Sequence, residues 1–182
     1  MNRFVSVAVA VAVACAVAAL AGCADSDDAP SGSGSVQATA ADQANPYAGI
    51  QLEKVLGTTG LCWSLPEHEP MELAKCAPKG SDGARTQTFT LTWIKNDPKG
   101  KRLFQIRRDG SNECLTARGS AIEGGACTAL ARALWSVSNS QFASADSRRV
   151  VTAPKDEVGV GLTLAAASTT AVSTQKFDIS GR

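Results

Sequence analysis

The chain has 182 residues, with 18 basic residues against 17 acidic ones, six cysteines and a single histidine. So even a balance excludes the strongly basic surface of a nucleic-acid-binding protein, and aromatic residues interleaved with the basic ones in that manner are absent. One histidine leaves no ready general base for a serine or cysteine nucleophile.

The chain opens MNRFVSVAVAVAVACAVAALAGC: one arginine, an Ala/Val-rich apolar run, then small residues up to Cys23. That is the pattern of a secretory signal and not of a first fold element. The run 5–21 is barely long enough to span a bilayer, and acidic residues follow Cys23, which argues against a stop-transfer anchor. Leu20-Ala21-Gly22-Cys23 resembles the bacterial lipobox. The resemblance implies cleavage before Cys23 and acylation of its sulfur and amine, and more than one acyl chain on a residue suffices for stable anchoring. Ala24 in the next position resembles an outer-membrane sorting residue. Residues 1–22 are therefore expected to be a lipoprotein signal peptide and Cys23 the lipidated residue.

Residues 23–49 carry almost no large apolar side chain. They cannot bury enough surface to offset their ordering entropy, and their Ser/Gly/Ala/Asp composition predicts a flexible tether with a reach of about 30 Å. Residues 50–182 then form one domain of about 133 residues, enough for a single core. Setting aside Arg3 and the four tether aspartates leaves 17 basic residues against 13 acidic ones in the domain. The excess is scattered, with Lys99-Lys101-Arg102 and Arg107-Arg108 as its only clusters, and is expected to be a solvated face.

Cys62, Cys76, Cys114 and Cys127 remain in the domain. An even number in an exported domain argues for disulfides, of which four cysteines allow three connectivities. The nearly equal separations point to one local bridge in each of two similar units. A zinc site would require ligands two to four residues apart, and a redox couple C-x-x-C; neither spacing occurs. No metal or other cofactor is expected.

In chain order, short alternating or β-branched runs occupy residues 88–94, 102–106, 135–137, 149–152, 161–164 and 176–179, separated by turn clusters such as NDPKG and RRDGSN. They predict an all-β domain. The Ala-rich pieces 129–134 and 165–171 are each expected to make no more than a helical turn. The flanks of the cysteine pairs agree with one another. Each has an apolar residue after the first cysteine, a turn-rich middle, a second cysteine and a closing aromatic: Phe89 in the first unit and Trp135 in the second. A third unit without cysteines ends in Phe177. Three units of about 44 residues fill the domain, and three equal units on a common axis predict a β-trefoil of three pseudo-repeats.

On these residues the domain resembles the ricin B-type β-trefoil, the R-type lectin domain, whose repeat runs from Cys-Leu through a second cysteine to Gln-x-Trp. Cys114-Leu115-Thr116 to Trp135 matches best, then Cys62-Trp63-Ser64 to Gln87-Thr88-Phe89, and Gln175-Lys176-Phe177 keeps the end of the third. The resemblance implies that Phe89, Trp135 and Phe177 are core. It also implies a sugar-contacting aspartate two positions after the first cysteine, where vicinal hydroxyls need charge-assisted partners. Those positions hold Ser64 and Thr116, with Thr152 their third equivalent, and a hydroxyl offers a neutral bond of only about 1 kcal/mol.

The lipobox, low-complexity leader and two bridged repeats most resemble the A and C binding subunits of cytolethal distending toxins. Those are lectin-like subunits that carry a nuclease subunit to a host cell. The resemblance implies a non-catalytic subunit for a glycan or glycosylated host receptor, with a nuclease and a second trefoil as toxin partners. It also implies an outer-membrane lipoprotein, displayed or released with the complex. Trp63, Trp93, Ser64 and Thr116 are the candidate binding residues. The alternative is an envelope lipoprotein whose degenerate trefoil binds a bacterial protein. Glu67, Glu69 and Glu72 form the densest carboxylate group but are read as a solvated turn, so no catalytic residue is expected.

Overall fold

The structure, a computed structural model, describes residues 45–55, 60–170 and 172–180. The signal, Cys23 and the tether up to residue 44 lie outside the described residues. Twelve strands run through the described residues in chain order. The first repeat has β1 (Gln51–Lys54), β2 (Leu61–Ser64), β3 (Glu72–Lys75) and β4 (Phe89–Asn96); the second has β5 (Arg102–Arg108), β6 (Glu113–Arg118), β7 (Ala121–Ala126) and β8 (Trp135–Ser138); the third has β9 (Gln141–Ser144), β10 (Val150–Thr152), β11 (Thr163–Ala165) and β12 (Phe177–Ser180). A short helical turn precedes the last strand of each repeat: 3-10 turns at Asp82–Thr86 and Ala131–Ala133, and the helix Val172–Gln175. The expected turn at 165–171 is thus displaced: Ala165 ends β11, and helix forms only from Val172. Asn45 and Tyr47, which composition placed in the tether, belong to the fold. The Asn45 side-chain amide donates to the Leu91 carbonyl, and the Leu91 N–H donates to the Tyr47 carbonyl.

The strands divide into a barrel and a cap. Three antiparallel pairs, β1–β12, β4–β5 and β8–β9, make the barrel wall. The pairs are joined to one another by the reciprocal Ile50/Phe89 bridge, by the Phe104/Trp135 pairing of β5 with β8, and by the Phe177 N–H donating to the Ser140 carbonyl. The hairpins β2–β3, β6–β7 and β10–β11 form the cap. Each cap hairpin touches both of the others: Met71 N–H to the Ile122 carbonyl, Leu164 N–H to the Ser120 carbonyl, and Leu162 N–H to the Met71 carbonyl. Four strands repeated three times about one axis is β-trefoil geometry, and a closed wall leaves no long exposed edge.

Phe89, Trp135 and Phe177 are each no more than 1% exposed and sit in the core where the wall closes. Burial of side chains this size contributes about 1.5–3 kcal/mol each. Two of the three repeats hold the end of the cap hairpin with a glutamine. Gln87 donates to the Lys75 carbonyl and accepts from Ala77 N–H; Gln175 does the same with the Ala166 carbonyl and Ser168 N–H. The second repeat has Ala133 in that position, and there Gln105 of β5 reaches the Thr128 carbonyl. Two buried cations tie repeats together. Lys54 of β1 pairs with Asp156 at 2.7 Å. Arg108 of β5 donates to the Leu65 carbonyl of the first repeat and to Glu113 at 2.6 Å.

Candidate functional site

The four domain cysteines pair as Cys62–Cys76 and Cys114–Cys127, one bridge within each of the first two repeats. The first cysteine of each lies on a strand opposite Ala74 or Gly125, and the second follows two residues after that partner. In the third repeat Val150 lies opposite Ala165, which puts Val150 and Ala167 in the two cysteine positions. That repeat therefore carries small apolar side chains where the others carry a bridge.

Trp63 does not serve as a contact residue. It is fully buried, packed edge-on against Phe142 and Phe177 at centroid distances of 4.9 and 5.0 Å, because every residue of β2 faces protein on both sides. Ser64 is corrected likewise: only 4% exposed, it donates to the Thr86 hydroxyl. Thr116 is half-buried, its hydroxyl turned to the Cys114 carbonyl, and Thr152 repeats this with Val150. Gly125 lets Thr116 lie that close, since a Cβ there would meet the Thr116 hydroxyl at 2.7 Å. All three hydroxyls at the sugar positions are thus committed within the domain, and no carboxylate stands in their place. Glu67 and Glu69 are exposed in the turn between β2 and β3, whereas Glu72 belongs to β3. His68 is exposed in the same turn with φ of 62°.

Trp93 has the opposite fate. It is 58% exposed on β4, opposite Phe104 of β5 and next to an irregularity in the β4–β5 register between Trp93 and Lys95. Its indole N–H donates to the Asn96 side chain at 3.3 Å. Asn96 lines a cleft of about 810 Å³, a size typical of ligand sites at about 300–1,000 Å³. One wall is the β4–β5 hairpin, contributing Lys95, Lys99 and Lys101. The Asp97 carboxylate accepts from the N–H groups of Lys99 and Lys101, and Gly100 takes φ of 79° in the turn. The opposite wall is Ser136, Ser138 and Gln141 of the β8–β9 hairpin with Arg148 of the following turn, and the floor includes Leu103, Leu134, Val150 and Ala167.

Of the four non-glycine residues with positive φ among those described, Asn139, Ser140 and Arg148 adjoin this cleft. Each left-handed residue costs about 1–3 kcal/mol, so the strain of the fold is concentrated along one wall. A second, apolar cleft of about 380 Å³ meets the first at Lys101 and Ser138; Tyr47, Leu91, Phe104, Val137 and Ile179 line it. No group of three or more metal-ligating side chains occurs among the described residues. The expectation of a scattered, solvated basic face is therefore modified by the fold, which gathers three hairpin lysines and Arg148 around one opening.

No family model and no curated protein matches the chain. Solved structures do. The structure of cytolethal distending toxin from Actinobacillus actinomycetemcomitans matches 74% of this chain and 91% of its own, with a TM-score of 0.58 and 12% identity. ThreeFoil, a designed 3-fold symmetric protein, matches 73% of this chain and 98% of its own at a TM-score of 0.57 and 9% identity. The C-half of an earthworm R-type lectin, solved with GalNAc, matches 72% and 97% at 0.50 and 19%. A mosquitocidal holotoxin matches 72% of this chain at 0.57, but the chain spans only 17% of that longer protein, and it spans 46% of PSL1a. At such identities the likeness is one of fold: the domain is a β-trefoil.

Proposed function

We propose that this domain is a non-catalytic binding module for a glycan or a glycosylated host receptor. It acts as a cytolethal distending toxin-like subunit that helps deliver a nuclease, held at a bacterial outer membrane by lipid on Cys23 until release. The observation that carries the reading is the open cleft between the β4–β5 and β8–β9 hairpins, lined by lysines and serines as well as apolar side chains, with exposed Trp93 beside it, on a fold shared with a toxin subunit and a lectin. An indole face offers a platform for the apolar face of a sugar, and the surrounding hydroxyls and amides offer partners for its rim. The folded domain is expected to bind a subset of a broad glycan array and the surface of cultured cells, and flat responses on both would remove the proposal.

The three hydroxyls committed at Ser64, Thr116 and Thr152 favour a second reading, in which sugar binding is lost and the trefoil holds a bacterial envelope protein. Capture with a nuclease encoded beside the chain supports the first reading. Capture only of envelope proteins supports the second.

A further inference from the structure

The geometry points to an acidic oligosaccharide, bearing carboxylate or sulfate groups, as the ligand of the cleft between the β4–β5 and β8–β9 hairpins; this rests on the glycan-binding reading and goes beyond it in naming the ligand's charge. Lys95, Lys99, Lys101 and Arg148 are all exposed and all line this opening. None of them is ion-paired among the described residues, where the salt bridges are Lys54–Asp156, Arg85–Asp82, Arg108–Glu113 and Arg118–Glu123. The one carboxylate of the lining, Asp97, accepts two backbone N–H groups of its own turn. It therefore fixes the backbone of the turn and forms no ion pair with either lysine. Four cations against one carboxylate leave the lining net positive, which raises the local concentration of anions.

The rest of the lining selects a saccharide over other anions. Ser136, Ser138 and Asn96 present hydroxyls and an amide between the cations, suited to the neutral hydroxyls of a sugar. No aromatic side chain lines the cleft itself, so successive bases would find no stacking platform of the kind single-stranded nucleic acids require. Trp93, hydrogen-bonded to Asn96 of the lining, suits one ring face. Val150 and Ala167, in the cysteine positions of the third repeat, add apolar surface to the lining. The arrangement is distinct from the repeat positions Ser64, Thr116 and Thr152.

The test is titration of the full-length chain with 3′-sialyllactose, a heparin-derived tetrasaccharide, lactose and sodium sulfate. The two acidic oligosaccharides are expected to bind at least about tenfold more tightly than lactose, a difference of about 1.4 kcal/mol, and to weaken as salt shortens the Debye length below about 10 Å. Lys99→Gln with Lys101→Gln, and separately Arg148→Gln, should abolish that preference, while Arg107→Gln, exposed but outside the cleft, should not. Lactose bound as tightly as the acidic sugars, with the cleft variants silent, overturns the acidic ligand and leaves glycan binding standing. Sulfate alone, or a single-stranded oligonucleotide, bound as tightly as the oligosaccharides overturns the saccharide assignment, as does an equal effect of Arg107→Gln. No binding by any glycan or by cells overturns the underlying reading as well.

Discussion

Trp63 and Trp93 carry one side chain into opposite surroundings, and their substitutions should part accordingly. Trp63 is sealed against Phe142 and Phe177, and its indole N–H has no hydrogen-bond partner. Trp63→Ala is expected to cost about 3–5 kcal/mol through the cavity it leaves. Trp63→Phe should stay within about 1 kcal/mol of the parent, because removing an unpaired buried donor, worth about 1–3 kcal/mol, offsets the lost ring area. Trp93→Ala should change stability by no more than about 0.5 kcal/mol, as exposed positions do, while weakening retention on immobilised glycan. Denaturant unfolding and a glycan column check the three variants together. The sequence offers both tryptophans as candidate binding residues, and only the closure of cap on barrel covers β2 while leaving Trp93 of β4 exposed.

The elements that were legible are the ones whose signal is local. The closing aromatics, the turn clusters and the cysteine spacing each act within one repeat, which is why the wall strands β4, β5, β8 and β12 and both bridges could be read. The cap was not. β2 is buried at all four positions, β7 carries two glycines, and Leu73 of β3 is held by backbone bonds to Gly159 and Val160, so none shows a clean period of two. The third repeat shows that a cap hairpin stands without its staple, and the second can be made to imitate it. Replacing Cys114 with Val and Cys127 with Ala reproduces the Val150/Ala167 arrangement. The variant should keep the fold and lose about 3 kcal/mol, the loop-closure contribution of a bridge spanning this length. Chemical unfolding of the oxidised parent and the variant measures the difference, and equal midpoints would show that the bridge contributes nothing to stability.

At the scale of the molecule, closure decides both the site and the fold. The cleft joins Lys99 and Arg148 from different repeats, so the candidate ligand chemistry was invisible to any reading of single stretches; Trp93 and the Lys99-Lys101 cluster were visible, their meeting with Arg148 was not. The wall itself closes only when the last strand returns to the first. β12 pairs with β1 at four positions, from Gln51↔Ser180 to Lys54↔Phe177, and Phe177 fills the core against Trp63. Ending the chain after Lys176 would remove a buried aromatic, strip β1 of its partner and leave two unpaired edges facing each other across an opened barrel. Neither remaining bridge compensates, since both lie within repeats one and two. Such a truncation should therefore lose near-UV circular dichroism and cooperative thermal unfolding altogether, whereas a fold built of independent repeats would retain a sharp transition for the first two.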